Sequence, residues 1–159
     1  MFDLLIVTHG NLGTEFLATL DLVYGKSNGW INACGFLAKQ SPEELYAQVE
    51  DYVWQSRNRG GCLIITDIPG GSPFLMSARA YKKFHDTIPV EVISGLNLGM
   101  LLEVASIQSE KTLSEAAEIA CSSGMQSVKS LFTQLDLYTG TRSQVQKEIP
   151  FTLKASVEA

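Results

Sequence analysis

The sequence is poor in residues that bind metal ions or form disulfides. Its 159 residues include only three cysteines and two histidines. The cysteines, Cys34, Cys62 and Cys121, are odd in number and far apart, form no C-x-x-C pair and have no histidine at ligand spacing. Zinc sites and disulfide frameworks need regular spacings of these residues. We therefore expect free thiols in a reducing compartment, and we predict that the protein uses no metal and no cofactor.

Long apolar runs and clusters of positive charge are also missing. No apolar stretch approaches the ~20 residues of a membrane-spanning helix, and no basic stretch precedes an apolar segment at the N terminus, as it would in a signal peptide. The net charge is −5, and the lysines and arginines form no run, whereas nucleic-acid binding depends on clustered cations. The sequence therefore predicts a soluble, cytoplasmic protein that has no membrane-spanning segment and does not bind nucleic acids.

What the chain does contain is a regular alternation of short apolar runs and helical patterns. Runs such as 4–7 and 62–65 are apolar throughout, as in strands buried on both faces of a parallel sheet. The order β-α-β-α-β-α-β-α predicts a three-layer α/β fold with a mainly parallel, doubly wound sheet. We place one domain at residues 1–133, with room for a last short strand at 128–132. Residues 134–159, where the periodicity fades, form a tail or arm.

The helices have recognisable signals at their ends. Ser41 with Glu44, and Thr112 with Glu115, each match the S/T-x-x-E capping box. We expect the helix that starts at Thr112 to end at Gly124, because glycine often ends a helix. In the first helix, four apolar residues at helical spacing predict the buried face: Phe16, Leu20, Val23 and Tyr24.

Two of the buried strands run directly into polar residues. His9 follows the first strand, and Asp67 follows the third. In doubly wound sheets, ligands bind just outside the carboxyl ends of the strands, and a histidine and an aspartate at neighbouring strand ends can meet there. The carboxylate would hold one ring nitrogen as N–H and leave the other free as a nucleophile. His9 and Asp67 are therefore the candidate catalytic residues.

Glycine-rich turns follow both of these residues. Gly10 comes after the histidine, and Gly70, Gly71 and Ser72 come after the aspartate at the start of a helix. Backbone N–H groups in such turns and at helix N-termini can bind an anion. These four are the candidate phosphate-binding residues. A histidine, a carboxylate and an anion-binding turn together fit phosphoryl transfer through a phosphohistidine.

Other interpretations of the same residues stay open on the sequence alone. A histidine after a buried strand can simply hydrogen-bond a turn, and Asp67 can be a structural turn residue. Ser72 with the same histidine and aspartate would make a hydrolase triad, but the G-x-S-x-G elbow is absent. The Gly-Lys-Ser at 25–27 resembles the end of a P-loop but follows a helix and lacks the first glycine. His85, beside Asp86 at a helix end, is expected to be a surface or C-terminal residue.

Three motifs, in this order, resemble those of one family. They are Thr8-His9-Gly10 after the first strand, Thr66-Asp67 with Gly70-Gly71-Ser72-Pro73-Phe74 after the third, and Val92-Ile93-Ser94-Gly95-Leu96-Asn97-Leu98 after the fourth. Over residues 2–132 the chain is similar to the EIIA domain of the mannose/fructose/sorbose family of the bacterial phosphoenolpyruvate-dependent sugar phosphotransferase system (PTS).

The resemblance implies a phosphoryl relay. His9 would accept a phosphoryl group from the phosphohistidine of the carrier HPr and pass it to a histidine of a separate EIIB protein, which phosphorylates sugar entering through membrane EIIC and EIID subunits. Asp67 would be hydrogen-bonded to the active histidine. The resemblance also implies the strand order 2-1-3-4, and homodimers in which a C-terminal strand, here Val128–Phe132, crosses to the partner subunit.

Two further functions are compatible with the same residues. The phosphoryl-donor subunit of dihydroxyacetone kinase is a close relative in the same fold and also uses an early histidine. A regulatory binding module could instead be controlled by phosphorylation of that histidine. The sequence does not identify the transported sugar. The resemblance implies that sugar specificity is set by the membrane subunits.

Overall fold

The computed structural model describes residues 1–26, 29–132 and 134. Contacts divide the chain after Ser127, and the fold below is that of the unit Met1–Ser127. In the described residues of this unit, strands and helices alternate up to the fourth strand, which two helices follow. Their bounds are β1 Asp3–His9, α1 Leu12–Val23, β2 Ile31–Phe36, α2 Pro42–Ser56, β3 Cys62–Thr66, α3 Ser72–Phe84, β4 Val90–Ser94, α4 Leu98–Ile107 and α5 Leu113–Gln126.

The strands form one parallel sheet in the order β2-β1-β3-β4. This confirms the predicted α/β fold and the strand order. β1 lies between β2 and β3, and its residues Leu4–Val7 are completely buried, as the uninterrupted apolar run predicts. The register places Val7 opposite Thr66, so β1 and β3 reach the same edge of the sheet together.

Each face of the sheet carries its own apolar core. Leu4 and Ile6 pack with residues of α1, α4 and α5, whereas Leu5 and Val7 pack with residues of α2 and α3. This division follows from the alternation of side chains along a strand. Each such side chain contributes about 1.5–3 kcal/mol when it is fully buried. The two cores hold the strand ends rigidly, which matters because the polar residues lie there.

The helix starts follow the prediction, but the buried face of α1 is shorter than predicted. The capping boxes at Ser41 and Thr112 are both formed. Leu20 is buried, whereas Val23 and Tyr24 are 58% and 51% exposed. They are the last residue and the C-cap of α1, and the buried face of the helix ends before them. In the described ranges, no helix is both long and apolar enough to span a bilayer.

The predicted end of α5 is also wrong. The helix continues past Gly124 to Gln126. Gly124 is buried, and a Cβ there would lie 2.7 Å from Cε of Met100. Gly124 therefore lies within α5, where it lets this helix approach α4 closely, and it does not end the helix.

The strand predicted at 128–132 does not form in the single chain. Leu131 and Phe132 have helical backbone, and the N–H of Gln134 donates to the carbonyl of Ser130 at 3.1 Å. A helical turn satisfies its own backbone groups, whereas a strand needs a neighbouring strand. Exchange of this segment between two subunits stays a prediction. The predicted tail at 134–159, apart from residue 134, lies outside the described residues.

Candidate active site

His9 is the last residue of β1, at the carboxyl edge of the sheet. Its neighbours Asp3–Thr8 in the same strand are buried, but its own side chain is 43% exposed. The chain leaves β1 towards β2, which pairs with β1 on one side, whereas β3 pairs with β1 on the other side. Doubly wound sheets bind ligands where the connections diverge in this way, so His9 lies at the expected binding position of the fold.

Asp67 follows β3 directly and contacts both the backbone and the ring of His9. Its Oδ2 accepts the backbone N–H of His9 at 2.8 Å and lies 2.9 Å from Nδ1 of the same residue. Its Oδ1 accepts the backbone N–H of Ile68 at 2.8 Å. The carboxylate side chain is only 8% exposed. The structure therefore brings the two candidate catalytic residues into direct contact.

The protonation state of this pair follows from the hydrogen bonds. Burial alone would raise the pKa of Asp67, but the N–H groups of the His9 backbone, the His9 ring and Ile68 together lower the pKa below its ordinary value. The carboxyl is therefore ionised near neutral pH and can only accept hydrogen bonds. Nδ1 of His9 must donate to it, which leaves the lone pair of the neutral ring on Nε2.

Two further residues fix the orientation of the imidazole. The ring of Phe36, at the end of β2, packs edge to face with it, at a centroid distance of 6.2 Å and an angle of 68°. The backbone of Gly71 also adjoins the ring, since a Cβ there would be 2.8 Å from Cε1 and 3.4 Å from Nε2 of His9. The end of β2 and the turn after β3 thus restrain the ring beyond its bond to Asp67.

The segment Ile68-Pro69-Gly70-Gly71 is a type II turn. Pro69 is at its second position, Gly70 has φ +78° at its third, and the N–H of Gly71 donates to the carbonyl of Ile68 at 3.2 Å. Gly70 lies at the exposed tip of the turn. The N–H of Gly71 is engaged inside the turn, which the prediction of a phosphate-binding loop did not anticipate.

Helix α3 begins directly after this turn, beside His9. In the described part of the chain no side chain caps its N terminus. Pro73 has no N–H, and the N–H groups of Ser72 and Phe74, in the first turn, have no acceptor within the helix. Because Gly71 is the N-cap and adjoins the ring of His9, the free amides and the positive end of the helix dipole lie near Nε2.

Gly10, the remaining candidate for phosphate binding, follows His9 with φ +58°. Its N–H donates to the carbonyl of Phe36 at 3.0 Å. A Cβ on Gly35 would collide with the carbonyl oxygen of Gly10, so β2 needs a glycine where the His9 loop crosses it. The geometry gives Gly10 a structural role in holding this loop.

The polar loop after β4 holds the backbone next to Asp67. The N–H groups of Gly95 and Leu96 both donate to the carbonyl of Thr66, at 3.0 and 3.1 Å. Thr66 immediately precedes Asp67. Asn97 in turn caps α4 by accepting the N–H of Met100. The three strand ends singled out in the sequence therefore lie side by side, and the third holds the backbone of the second.

The sequence did not indicate the part played by Thr8, Gly35 and Phe36. The hydroxyl of Thr8 accepts the N–H of Gly13 at 2.7 Å, and so caps α1 from the preceding strand. In the sequence, Thr8 stood out only as the first residue of the Thr8-His9-Gly10 motif, and Gly35 only as a glycine next to the strand end. Neither signal names a contact partner.

The second histidine lies away from this site. His85 is the C-cap of α3, stacks on Tyr81 and has Nε2 3.4 Å from Oδ1 of the exposed Asp86. The 13 residues of α3 separate it from the His9 site by about 20 Å. Among the described residues, no group of three or more histidines, cysteines or acids is arranged to bind a metal ion.

Comparison with known proteins gives a family model and several solved structures. The family model EIIA-man, for the PTS system fructose IIA component, matches residues 3–121. The phosphotransferase system component EIIA from Streptococcus agalactiae is 25% identical with a TM-score of 0.72, over 84% of this chain and 99% of that chain.

Two further solved structures share the fold at lower identity. The mannose/sorbose-specific IIA subunit from Enterococcus faecalis is 22% identical with a TM-score of 0.72, over 81% of this chain and 93% of that chain. The PTS IIA protein associated with the fucose utilization operon of Streptococcus pneumoniae is 23% identical with a TM-score of 0.69, over 84% of this chain and 95% of that chain.

Proposed function

Because the chain belongs to the EIIA-man family and is a component of a sugar phosphotransferase system, we propose that it is a phosphoryl-relay subunit. His9 accepts a phosphoryl group from phospho-HPr and passes it to EIIB during sugar uptake through EIIC and EIID. The observation that carries this proposal is the pairing of His9 with Asp67. The imidazole is partly exposed, its Nδ1 is bonded to an ionised carboxylate, and its Nε2 has no hydrogen-bond partner among the described residues.

The proposed reaction is an exchange of one P–N bond for another. The lone pair on Nε2 of His9 attacks the phosphorus of the donor's phosphohistidine. As the new bond forms, the P–N bond to the donor ring breaks, and its electron pair stays on the donor nitrogen. Nδ1 keeps its proton, so the phosphorylated ring is cationic, and the carboxylate of Asp67 stabilises that charge. In the second step, an imidazole nitrogen of EIIB attacks the same phosphorus and His9 becomes the leaving group.

The start of α3 is suited to the transferred group. Its first-turn amides at Ser72 and Phe74 have no acceptor within the helix, no side chain among the described residues caps this end, and the helix dipole is positive here. We therefore assign the phosphoryl oxygens to these amides. Ser72 keeps the phosphate-binding role, whereas Gly10, Gly70 and Gly71 shape the loops around the group.

The surroundings of His9 fit a protein donor and acceptor. Four aliphatic side chains on the loops and helix starts at this edge are about half exposed: Leu12, Leu37, Ile68 and Leu75. Apolar side chains exposed around a reactive group mark a protein-binding surface. A phosphocarrier protein would bury them while its phosphohistidine approaches Nε2.

We further propose that the protein is a homodimer, as the family resemblance implies. β4 is an edge strand, bonded only to β3 in the described sheet. An open edge presents unpaired backbone N–H and C=O groups, which a strand of a second subunit can satisfy. Sedimentation of the purified protein at twice the monomer mass would support the dimer, and sedimentation as a monomer at micromolar concentration would oppose it.

The relay can be tested by labelling. Incubation with radioactive phosphoenolpyruvate, enzyme I and HPr should label the protein on an acid-labile phosphohistidine, and addition of EIIB should remove the label. His9→Ala should abolish labelling, whereas His85→Ala, the matched control, should not change it. Full labelling of His9→Ala would refute the assignment. Transfer to a dihydroxyacetone kinase subunit in place of EIIB would identify the alternative function.

A further inference from the structure

Gly71 has no backbone reason to be a glycine. Its φ of −71° and ψ of 169° are those of ordinary extended backbone, which any residue adopts. The preceding Gly70 differs in this respect, because its φ of +78° favours glycine. The hydrogen bond from the N–H of Gly71 to the carbonyl of Ile68 would also survive in an alanine. The local chain geometry therefore leaves the glycine unexplained.

The contact with His9 does explain it. A Cβ at position 71 would lie 2.8 Å from Cε1 of His9, whereas non-bonded carbon atoms are normally about 3.5–4.0 Å apart. The same Cβ would lie 3.4 Å from Nε2 and from the carbonyl oxygen of Ile68. The imidazole thus occupies the space that a side chain at this position would need.

Relief of such a clash would move the ring and not the turn. The turn is held by Pro69 and by the bond between Gly71 and Ile68. The ring of His9 is 43% exposed, so it can rotate towards solvent at the cost of its contact with Phe36. Rotation, however, would take Nδ1 away from Asp67 and Nε2 away from the first turn of α3.

We propose that Gly71 is a positioning residue. Its missing side chain lets the imidazole of His9 lie against the N-cap of α3 with Nδ1 on Asp67 and Nε2 at the helix N terminus. The proposal rests on the phosphoryl-accepting function of His9 and adds to it what sets the ring orientation. It also predicts a particular separation of effects: a methyl group at position 71 should harm the chemistry far more than the fold.

The test compares the wild-type protein with Gly71→Ala in two measurements. ¹⁵N NMR of the two histidine rings reports the tautomer and the Nδ1–H hydrogen bond of His9, with His85, at the far end of α3, as the internal control. Single-turnover phosphorylation at saturating phospho-HPr reports the chemical step. We expect Gly71→Ala to lose the His9 Nδ1–H signature, keep the His85 signals and slow phosphorylation at least 10-fold, with a thermal midpoint close to that of the wild type.

Each alternative outcome is decisive. Unchanged His9 signals and an unchanged rate would overturn the proposal. A large fall in the thermal midpoint with both histidines perturbed would overturn it as well, because Gly71 would then serve the fold. If the wild-type protein takes no phosphate from HPr, the proposed function fails, but the NMR comparison, which needs no donor, still decides whether Gly71 positions the ring.

Discussion

Asp67→Asn is the substitution that best tests the mechanism, because all three partners of this side chain are donors. Its two oxygens accept the backbone N–H of His9, the Nδ1–H of the ring and the backbone N–H of Ile68. An amide has nearly the same shape but offers only one oxygen, and its NH₂ group only donates. In either orientation, the NH₂ group of an asparagine must therefore face at least one N–H group.

The expected loss of rate follows from these two orientations. With the NH₂ group towards Ile68, the ring keeps its tautomer but loses the negative charge that, in the proposed relay, stabilises the phosphorylated, cationic imidazole of His9. With the NH₂ group towards Nδ1, the ring must carry its proton on Nε2, and the nucleophile is lost. A hydrogen bond to a charged group contributes about 1.5–3 kcal/mol. At 1.36 kcal/mol per tenfold change in rate, this corresponds to about 10- to 160-fold slower transfer.

Rapid-quench measurement of transfer from phospho-HPr would give this rate directly. Asp86→Asn is the matched control, because Asp86 also lies near a histidine but is 85% exposed, and its rate should equal that of the wild type. ¹⁵N NMR of the His9 ring separates the two orientations of the amide. A rate for Asp67→Asn within twofold of the wild type would remove Asp67 from the mechanism.

Three further predictions concern stability and reactivity. The pKa of Asp67 is lowered in the folded protein. The ionised side chain therefore contributes fully to the free energy of unfolding above the ordinary carboxyl pKa of about 4, and this contribution is lost as the pH falls through the pKa of the folded state. The difference in unfolding free energy between the wild type and Asp67→Asn should therefore shrink below about pH 4 in denaturant titrations. Thr8→Val removes the acceptor of the Gly13 N–H, and should lower the unfolding free energy by about 1–3 kcal/mol; no change would exclude the cap. Burial raises the pKa of the Cys62 thiol, so a maleimide should modify the partly exposed Cys121 first and Cys62 only after unfolding, as mass spectrometry of peptides can check.

The sequence predicted the fold because its signals are local and consistent. Runs of four or more buried apolar residues marked β1 and β3, and the helices between them required parallel pairing. The order 2-1-3-4 did not follow from periodicity, because nothing in a strand's own residues names its neighbour. The resemblance to the family provided this order. Without it, contact between His9 and Asp67 rested on the assumption that their two strands are neighbours in the sheet.

The predictions that failed, or that missed a contact, concern residues whose structure depends on a partner elsewhere in the chain. The type of a residue does not tell which partner it will contact. A glycine in a turn indicates a flexible backbone or a close approach, but not whether its N–H is free; Gly71 proved to be packed on a ring with its N–H engaged. Helical spacing predicts which face of a helix can be buried, but not where the elements that cover this face end. For this reason Val23 was wrongly predicted to be buried. Likewise, an apolar segment such as 128–132 becomes a strand only next to another strand.

The parallel pairing of β1 with β3 also has a consequence for how the protein folds. The bond between His9 and Asp67 joins residues 58 positions apart, and pairings between distant segments form late and slowly. During synthesis, the first strand leaves the ribosome long before its neighbour β3 exists. A nascent chain therefore carries His9 without the carboxylate of Asp67, and the ring can then adopt either tautomer. The Nδ1–H signal of His9 would then be a sensitive probe of refolding, because it appears only when the centre of the sheet is complete.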